Sequence, residues 1–280
     1  MQHLILSAKK AIQQHDTLPF SVYTSVQEQH ILNVPMIKPL LVCVFDGCKQ
    51  LGQGTINCPA GQFVFLSNSP KVEMRNIPSH SQYFAMLIEF EFDDFTCFSQ
   101  NQILSSGNNL GNHRAESSLQ GDIDPVFQQT LQQFIEWSTF APKELWSMRR
   151  QEILQLLYHQ GYQQISHIMA STSLSHKLHA MFSADPAEEL QADRLCEQLA
   201  MSESTLRRKL RAEGTSLQEI KDSTRLGLGL HLVQTTLQPI GLVAEQCGYQ
   251  SQSRFTDKFK QLFGITPTEL RKTRMPESGE

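Results

Sequence analysis

The sequence predicts an α+β protein built in two parts, and three observations predict it. Apolar runs of strand length fill the first part of the chain, as in Leu40-Leu41-Val42-Cys43-Val44-Phe45 and Phe63-Val64-Phe65-Leu66. From Asp124 onward the apolar spacing becomes that of helices. Beyond Ala170-Ser171-Thr172-Ser173, the most linker-like run, everything reads as helix and one turn-and-helix pattern occurs twice. The expected architecture is a small amino-terminal β-barrel with covering helices, over residues 1–170, and an all-α carboxy-terminal domain over 173–280.

The elements follow in order. The amino terminus, Met1 to Ser7, has no positively charged lead and meets Lys9-Lys10 after a few apolar residues, so it does not read as a signal peptide. No run approaches the roughly 18 uncharged apolar residues of a spanning helix. The expected location is the cytoplasm, with no membrane partner. In Tyr83 to Phe92, period two places Phe84, Met86, Ile88, Phe90 and Phe92 on one face and Glu89 and Glu91 on the other. Asp46-Gly47, Gly52-Gln53-Gly54, Pro59-Ala60-Gly61 and Ser67 to Pro70 supply turn chemistry between strands. Many short strands at this spacing imply a small barrel or sandwich. Ser99 to Gly121, polar and glycine-containing, reads as a long loop.

Asp124-Pro125 is a helix start, followed by Phe127, Leu131, Phe134 and Ile135 on one stripe. Ala141-Pro142 starts a second helix carrying Trp146, Ile153 and Leu157. The pair either covers the barrel or forms a dimer seam.

Charge is unevenly placed. The chain's net charge is -4, yet residues 201–274 hold 12 basic against 7 acidic side chains, a local excess of +5. A basic module carried by an acidic partner domain fits this asymmetry. Six cysteines are scattered with no C-x-x-C pair, which predicts reduced, mostly buried thiols rather than a zinc site or a disulfide framework. Cys43, Cys48 and Cys58 stand near enough in sequence for a redox pair, with nothing in their spacing to favour one.

The repeat carries the functional signal. Cys196 to Leu199, then Ser202, Leu206 and Leu210, is matched by Ala244 to Cys247, then Ser251, Phe255 and Phe259. In each copy a short helix ends, a tight turn follows (Ala200-Met201, or Gly248-Tyr249-Gln250), a serine caps a second helix, and apolar residues four apart anchor it. This is a helix-turn-helix, twice. With Leu206 and Leu210 inward, Ser204, Arg208 and Arg211 point outward, flanked by Thr205 and Arg207. With Phe255, Phe259 and Leu262 inward, Ser253, Asp257 and Lys260 point outward, flanked by Arg254 and Thr256. An outward Arg can donate two hydrogen bonds to guanine O6 and N7 in the major groove, and the other cations can pair with phosphates.

Leu195 to Ser202 with Leu206-Arg207-Arg208, then Gly248 to Phe255 with Phe259-Lys260, Phe263-Gly264-Ile265-Thr266-Pro267 and Leu270-Arg271, resembles the DNA-binding domain of AraC/XylS-type transcription regulators. The resemblance implies a long helix around Ser216 to Gln234 that joins the two units and holds their recognition helices about one DNA turn apart. It implies base-reading positions Ser204, Arg207 and Arg208 in the first unit and Gln252, Ser253, Thr256 and Asp257 in the second. Thr205, Arg211, Arg254 and Lys260 complete the expected DNA-binding set. Gly227 and Gly229 interrupt the connecting helix, each costing about 1 kcal/mol relative to Ala, and predict a less rigid connector. Pro239 replaces the usual cap and fits only in the first helical turn. Asp257 would repel phosphate but could accept from cytosine N4.

The amino-terminal part is similar in length and strand pattern to the cupin-like sensor domains of this family. No H-x-H ligand spacing is present; His80 stands alone with Glu89 and Glu91 later. No metal and no cofactor are therefore expected. The implied function is sequence-specific transcription regulation, as an activator, with promoter DNA, RNA polymerase, a small apolar effector or regulatory protein, and a second copy of the chain as partners. The rivals are a cupin-type enzyme fused to a DNA-binding domain and an effector-independent DNA-binding adaptor. The enzyme lacks a metal triad, nucleophile motif or phosphate loop, so the chain is expected not to be an enzyme.

Overall fold

In a computed structural model of the 280-residue chain, residues 1–67, 71–98, 118–170, 173–184 and 192–274 are described, the side chains of 167–170, 184, 192 and 193 aside. The amino-terminal part opens with α1 (Gln2–Gln14), whose Leu4, Ala8 and Ala11 are buried. Nine strands follow among the described residues: β1 (Ser21–Ser25), β2 (Gln29–Val34), β3 (Leu40–Asp46), β4 (Cys48–Leu51), β5 (Ile56–Pro59), β6 (Gln62–Leu66), β7 (Val72–Ile77), β8 (Tyr83–Glu89) and β9 (Ser118–Asp122). They form two antiparallel sheets, a five-stranded one in the order β1-β8-β3-β6-β9 and a four-stranded one in the order β2-β7-β4-β5. The strand-rich core expected as a barrel is thus two facing sheets without one continuous hydrogen-bonded ladder.

The five-stranded sheet is covered on both faces, and its central strand β3 is accordingly buried from Leu40 to Phe45. Leu41, Cys43, Phe63, Phe65, Phe84, Met86 and Ile88 face a helical layer, while Leu40, Val42, Val44, Val64, Ala85 and Leu87 face the second sheet. The helical layer is α1, α2 (Pro125–Ser138) and α3 (Trp146–His159). Asp124 caps α2 by accepting from Phe127 N, and Pro125 occupies the first turn. Phe127, Leu131, Phe134, Ile135, Ile153 and Leu157 are all buried within the same cluster, so the stripe of both helices is covered by their own domain. A 3₁₀ turn, Lys143–Leu145, separates the Pro142 start from α3.

The loop expected over Ser99 to Gly121 needs correction at its end. Ser118 to Gly121 belong to β9, paired with β6 from Leu66↔Ser118 to Gln62↔Asp122, and residues 99–117 lie outside the described residues. Gly121 is required there, because a Cβ would overlap the Tyr162 phenol and the edge of the Phe63 ring. The linker Ser171-Thr172 also lies outside the described residues.

The carboxy-terminal part contains α4 (Leu174–Ala184), α5 (Ala192–Gln198), α6 (Glu203–Ala212), α7 (Leu217–Thr235), α8 (Ile240–Gln246), α9 (Gln252–Phe263) and α10 (Pro267–Lys272). The connecting helix α7 is capped by Ser216, which accepts from Glu219 N. Pro239 is itself the cap of α8 (φ −51°, ψ 140°), one position before the first turn where the sequence placed it, and α8 has no side-chain cap.

The two units do not share a core. Leu178, Phe182, Leu195, Leu206, Leu210 and Ile220 form a small cluster of the first unit alone. Leu226, Leu230, Val233, Phe255, Phe259 and Phe263 instead join Ile31, Val34, Val42 and Met74 in one cluster with the sheet sandwich. Gly229 is not a flexible point. A Cβ there would lie 2.7 Å from Cε2 and 2.8 Å from Cζ of Phe255, so the glycine exists to let α9 approach α7. A Cβ at Gly227 would meet Pro35 Cγ at an ordinary 3.4 Å. The loosened connector expected from these two glycines is a closely packed helix.

Candidate nucleic-acid interface and interdomain cavity

Both helix-turn-helix units are built by the same local chemistry. Ala200 and Gly248 adopt left-handed backbone angles, φ 48° and 74°, at equivalent points of the turn. In the first unit Ala200 N donates to Glu197 O and Met201 N to Cys196 O; in the second Gly248 N donates to Glu245 O and Tyr249 N to Ala244 O. An alanine in this region costs about 1–2 kcal/mol, so the repeated geometry is imposed by packing and not by residue preference alone. Ser202 accepts from Thr205 N and Ser251 from Arg254 N, starting α6 and α9. Leu206 and Leu210 bury α6, and Phe255, Phe259 and Phe263 bury α9. Phe263, not Leu262, continues the inward stripe of the second helix; Leu262 is half-buried and Gly264 ends the helix at φ 76°.

Every expected DNA-binding side chain lies at the surface of these two helices. Ser204, Arg207, Arg208, Arg211, Gln252, Ser253, Arg254, Asp257 and Lys260 are exposed, and Thr205 and Thr256 half-buried. Arg207 pairs with Glu203 at 2.5 Å, one turn back on α6. Arg208 and Arg211, unlike Arg207, carry no ion pair among the described residues. The hydroxyls of Ser204 and Thr205 each lie 3.0 Å from Ser202 Oγ, which fixes them at the helix start. The first face is cationic; the second mixes Arg254 and Lys260 with Asp257.

A cavity of about 650 Å³ lies where the domains meet. Its walls come from β1 and β2, edge strands of different sheets, from residues 35–38, and from Gly227, Leu228, Leu230 and His231 of α7. Apolar groups dominate, among them the buried Ile31, Val34, Val42 and Leu87. Cations stand at two places. Toward α3, Lys38 pairs with Glu91 at 2.6 Å, and Arg150 binds the buried Asp94 at 2.5 Å, with Trp146 beside them. Inside, Lys49 is 1% exposed and has no carboxylate partner among the described residues. Its Nζ donates to Asn76 Oδ1 at 2.9 Å and lies 3.4 Å from Met74 Sδ. Burial holds its ammonium down to about 8.

The sequence does not announce Lys49. Its only signal is phase, since Lys49 and Leu51 share the inward face of β4. The cysteines form no disulfide among the described residues, with Cys43, Cys58 and Cys247 buried, and burial pushes the Cys58 thiol up to about 12. No group of three His, Cys, Asp or Glu that could hold a metal occurs among the described residues. No helix among them is long and apolar enough to cross a membrane.

Two serine-capped recognition helices on one connector, carrying outward Arg and Ser side chains, define a helix-turn-helix DNA-binding domain. Residues 195–273 match the helix-turn-helix domain family, and the resemblance to AraC/XylS-type regulators holds for this domain. The chain is 37% identical over 91 residues to the HTH-type transcriptional regulator GadX of Escherichia coli, covering 32% of this chain and 33% of GadX. It is 28% identical over 91 residues to the urease operon transcriptional activator of Escherichia coli, covering 32% and 31%. The match thus spans about a third of the length of these relatives. The whole fold is similar to that of Vibrio cholerae ToxT solved with a bound unsaturated fatty acid, with a TM-score of 0.65, 14% identity, and coverage of 95% of this chain and 99% of ToxT. An amino-terminal two-sheet domain followed by a helical domain with the helix-turn-helix pair is therefore the architecture of this protein.

Proposed function

We propose that the chain is a sequence-specific transcription regulator, an activator working in the cytoplasm without enzymatic activity, whose domain over 173–280 reads promoter DNA and whose domain over 1–170 controls that reading. The observation that carries this is the pair of capped helices with open polar faces, one of them cationic. Ser204, Thr205, Arg207, Arg208 and Arg211 read and hold the first half-site; Gln252, Ser253, Arg254, Thr256, Asp257 and Lys260 the second. RNA polymerase and a second copy of the chain complete the list of proposed partners. The cavity supports a small apolar effector over an adaptor without one, because it is of ligand size, mostly apolar, and has few polar groups. The fatty acid in ToxT points to an apolar chain with an anionic head as that effector.

Footprinting on the promoter of an operon under its control is expected to show protection of two successive major-groove segments within about 20 base pairs. Protection of one groove alone would sink the two-unit reading. Arg208→Ala is expected to cost about 1–3 kcal/mol on the specific site and to relax preference at one base pair, while Lys260→Ala weakens specific and random DNA alike. Equal losses on specific and random duplexes for Arg208→Ala would make it a phosphate contact.

A further inference from the structure

Lys49 begins a buried chain of hydrogen bonds that ends in the other domain. Its Nζ donates to Asn76 Oδ1 at 2.9 Å, and Asn76 Nδ2 donates to Gln29 Oε1 at 2.8 Å. Gln29 Nε2 donates to Thr273 Oγ1 at 2.8 Å, and Gln234 Nε2 returns a bond to Gln29 Oε1 at 3.0 Å. Lys49, Asn76, Gln29 and Gln234 are at most 1% exposed, and Thr273 is 8%. The chain therefore runs from the inside of the cavity to the residue after α10 with each donor pointing onward, while at the end of α7 Gln234 donates back into Gln29. Backbone bonds from Val26 N and Gln27 N to Thr273 O, at 2.8 and 3.2 Å, fasten the same point.

The first link is incomplete. An ammonium has three donors, and here it has one amide oxygen, a thioether at 3.4 Å and the Tyr83 ring at 5.9 Å. Tyr83 leaves its own buried hydroxyl without a partner. A buried charge of this kind is normally paired, and Lys49 lines the cavity without an ion pair among the described residues. Glu89 and Glu91 also line the cavity, but burial and Cys58 are what act on Lys49, and Glu91 is engaged by Lys38.

We propose that the anionic head of the cavity's ligand is taken by Lys49, and that the chain Asn76–Gln29–Gln234/Thr273 carries this event to the second helix-turn-helix unit. An anion paired with the ammonium draws it toward the cavity and weakens its bond to Asn76 Oδ1. The aligned amides behind it lose their polarising end, and the hold of Gln29 on Gln234 and Thr273 loosens. Because α9 is packed on the sheet sandwich and the first unit is not, loosening this point changes how the two recognition helices present themselves. The proposal rests on the cavity being an effector site, as above.

The test uses the full chain, with oleate and oleyl alcohol as probes of equal chain and different head. Oleate is expected to bind at least tenfold tighter than the alcohol, and to speed amide exchange at residues 233–236 and 270–274 at least tenfold, while the bound alcohol leaves those amides unchanged. Lys49→Met is expected to bind both probes equally. Gln29→Met is expected to bind oleate within threefold of the parent chain yet show no ligand-induced change at 270–274. Equal binding of both probes to the parent chain, or a Lys49→Met variant that keeps the preference, overturns Lys49 as the anchor. A Gln29→Met variant that still transmits the change overturns the chain of amides. Binding of neither probe overturns the cavity reading itself, and leaves DNA recognition standing.

Discussion

Phe255→Ala is expected to destabilise the protein by about 3–5 kcal/mol, and the loss should appear in the unfolding of the sheet domain as well as of the second helix-turn-helix unit. Phe255 is fully buried, packs edge-on against Tyr249 and at a tilt against Phe259, with ring centroids 5.4 and 5.5 Å apart, and fills the space above Gly229. Its cluster continues without a break into Ile31, Val34 and Met74 of the sandwich. Leu206→Ala, which empties the separate cluster of the first unit, should cost about 2–5 kcal/mol and leave the sheet domain untouched. Denaturant titration followed by a probe in each unit separates the two cases. A sheet domain that unfolds independently of Phe255→Ala would show that the continuous cluster does not couple the parts.

Asp94→Asn is expected to cost about 3–5 kcal/mol, because it strands a cation in a site with little water. Asp94 is fully buried and accepts from Arg150 Nε at 2.5 Å, Arg150 Nη2 at 3.2 Å, Ser147 Oγ at 2.5 Å and the backbone of Glu91 at 2.8 Å. These bonds fix α3 against the 3₁₀ turn Phe92–Cys97 and so hold Trp146 and Arg150 at the cavity wall. Adding Arg150→Met should restore much of the loss, since the double variant leaves no unpaired charge. Equal stability of single and double variants would mean that the carboxylate serves only its neutral donors.

What the sequence disclosed follows from the range over which each cause acts. The helix-turn-helix units were legible because their causes are local: a serine three residues from the amide it caps, and apolar anchors four apart. The start of α2 was legible for the same reason, in Asp124-Pro125. α1 was missed, although Leu4, Ala8 and Ala11 stand at helical spacing. β9 was not legible, because Ser118–Asp122 has one large apolar residue and is made a strand by β6, some 60 residues away. Gly229 misleads for the same reason. Read alone it weakens a helix, and only Phe255, brought from the next unit, explains it. Lys49 and Gln29 read as solvated polar residues until the sheets fold over them.

The placement of α9 against the sandwich also sets where the molecule can be cut. A fragment starting at Ser173 would hold every residue proposed to touch DNA, and by sequence it is the natural module. It would also strip the cover from Leu226, Leu230, Val233, Phe259 and Phe263 on the side that meets Ile31 and Val34. Gln234 and Thr273 would lose the amide that satisfies them. Such a piece would be sticky and prone to self-association, whereas the first unit, with its private cluster, tolerates separation better. Modularity in the order of residues and modularity in solubility do not coincide here: the seam between the part packed on the sheets and the part that stands free runs through the middle of the helix-turn-helix pair.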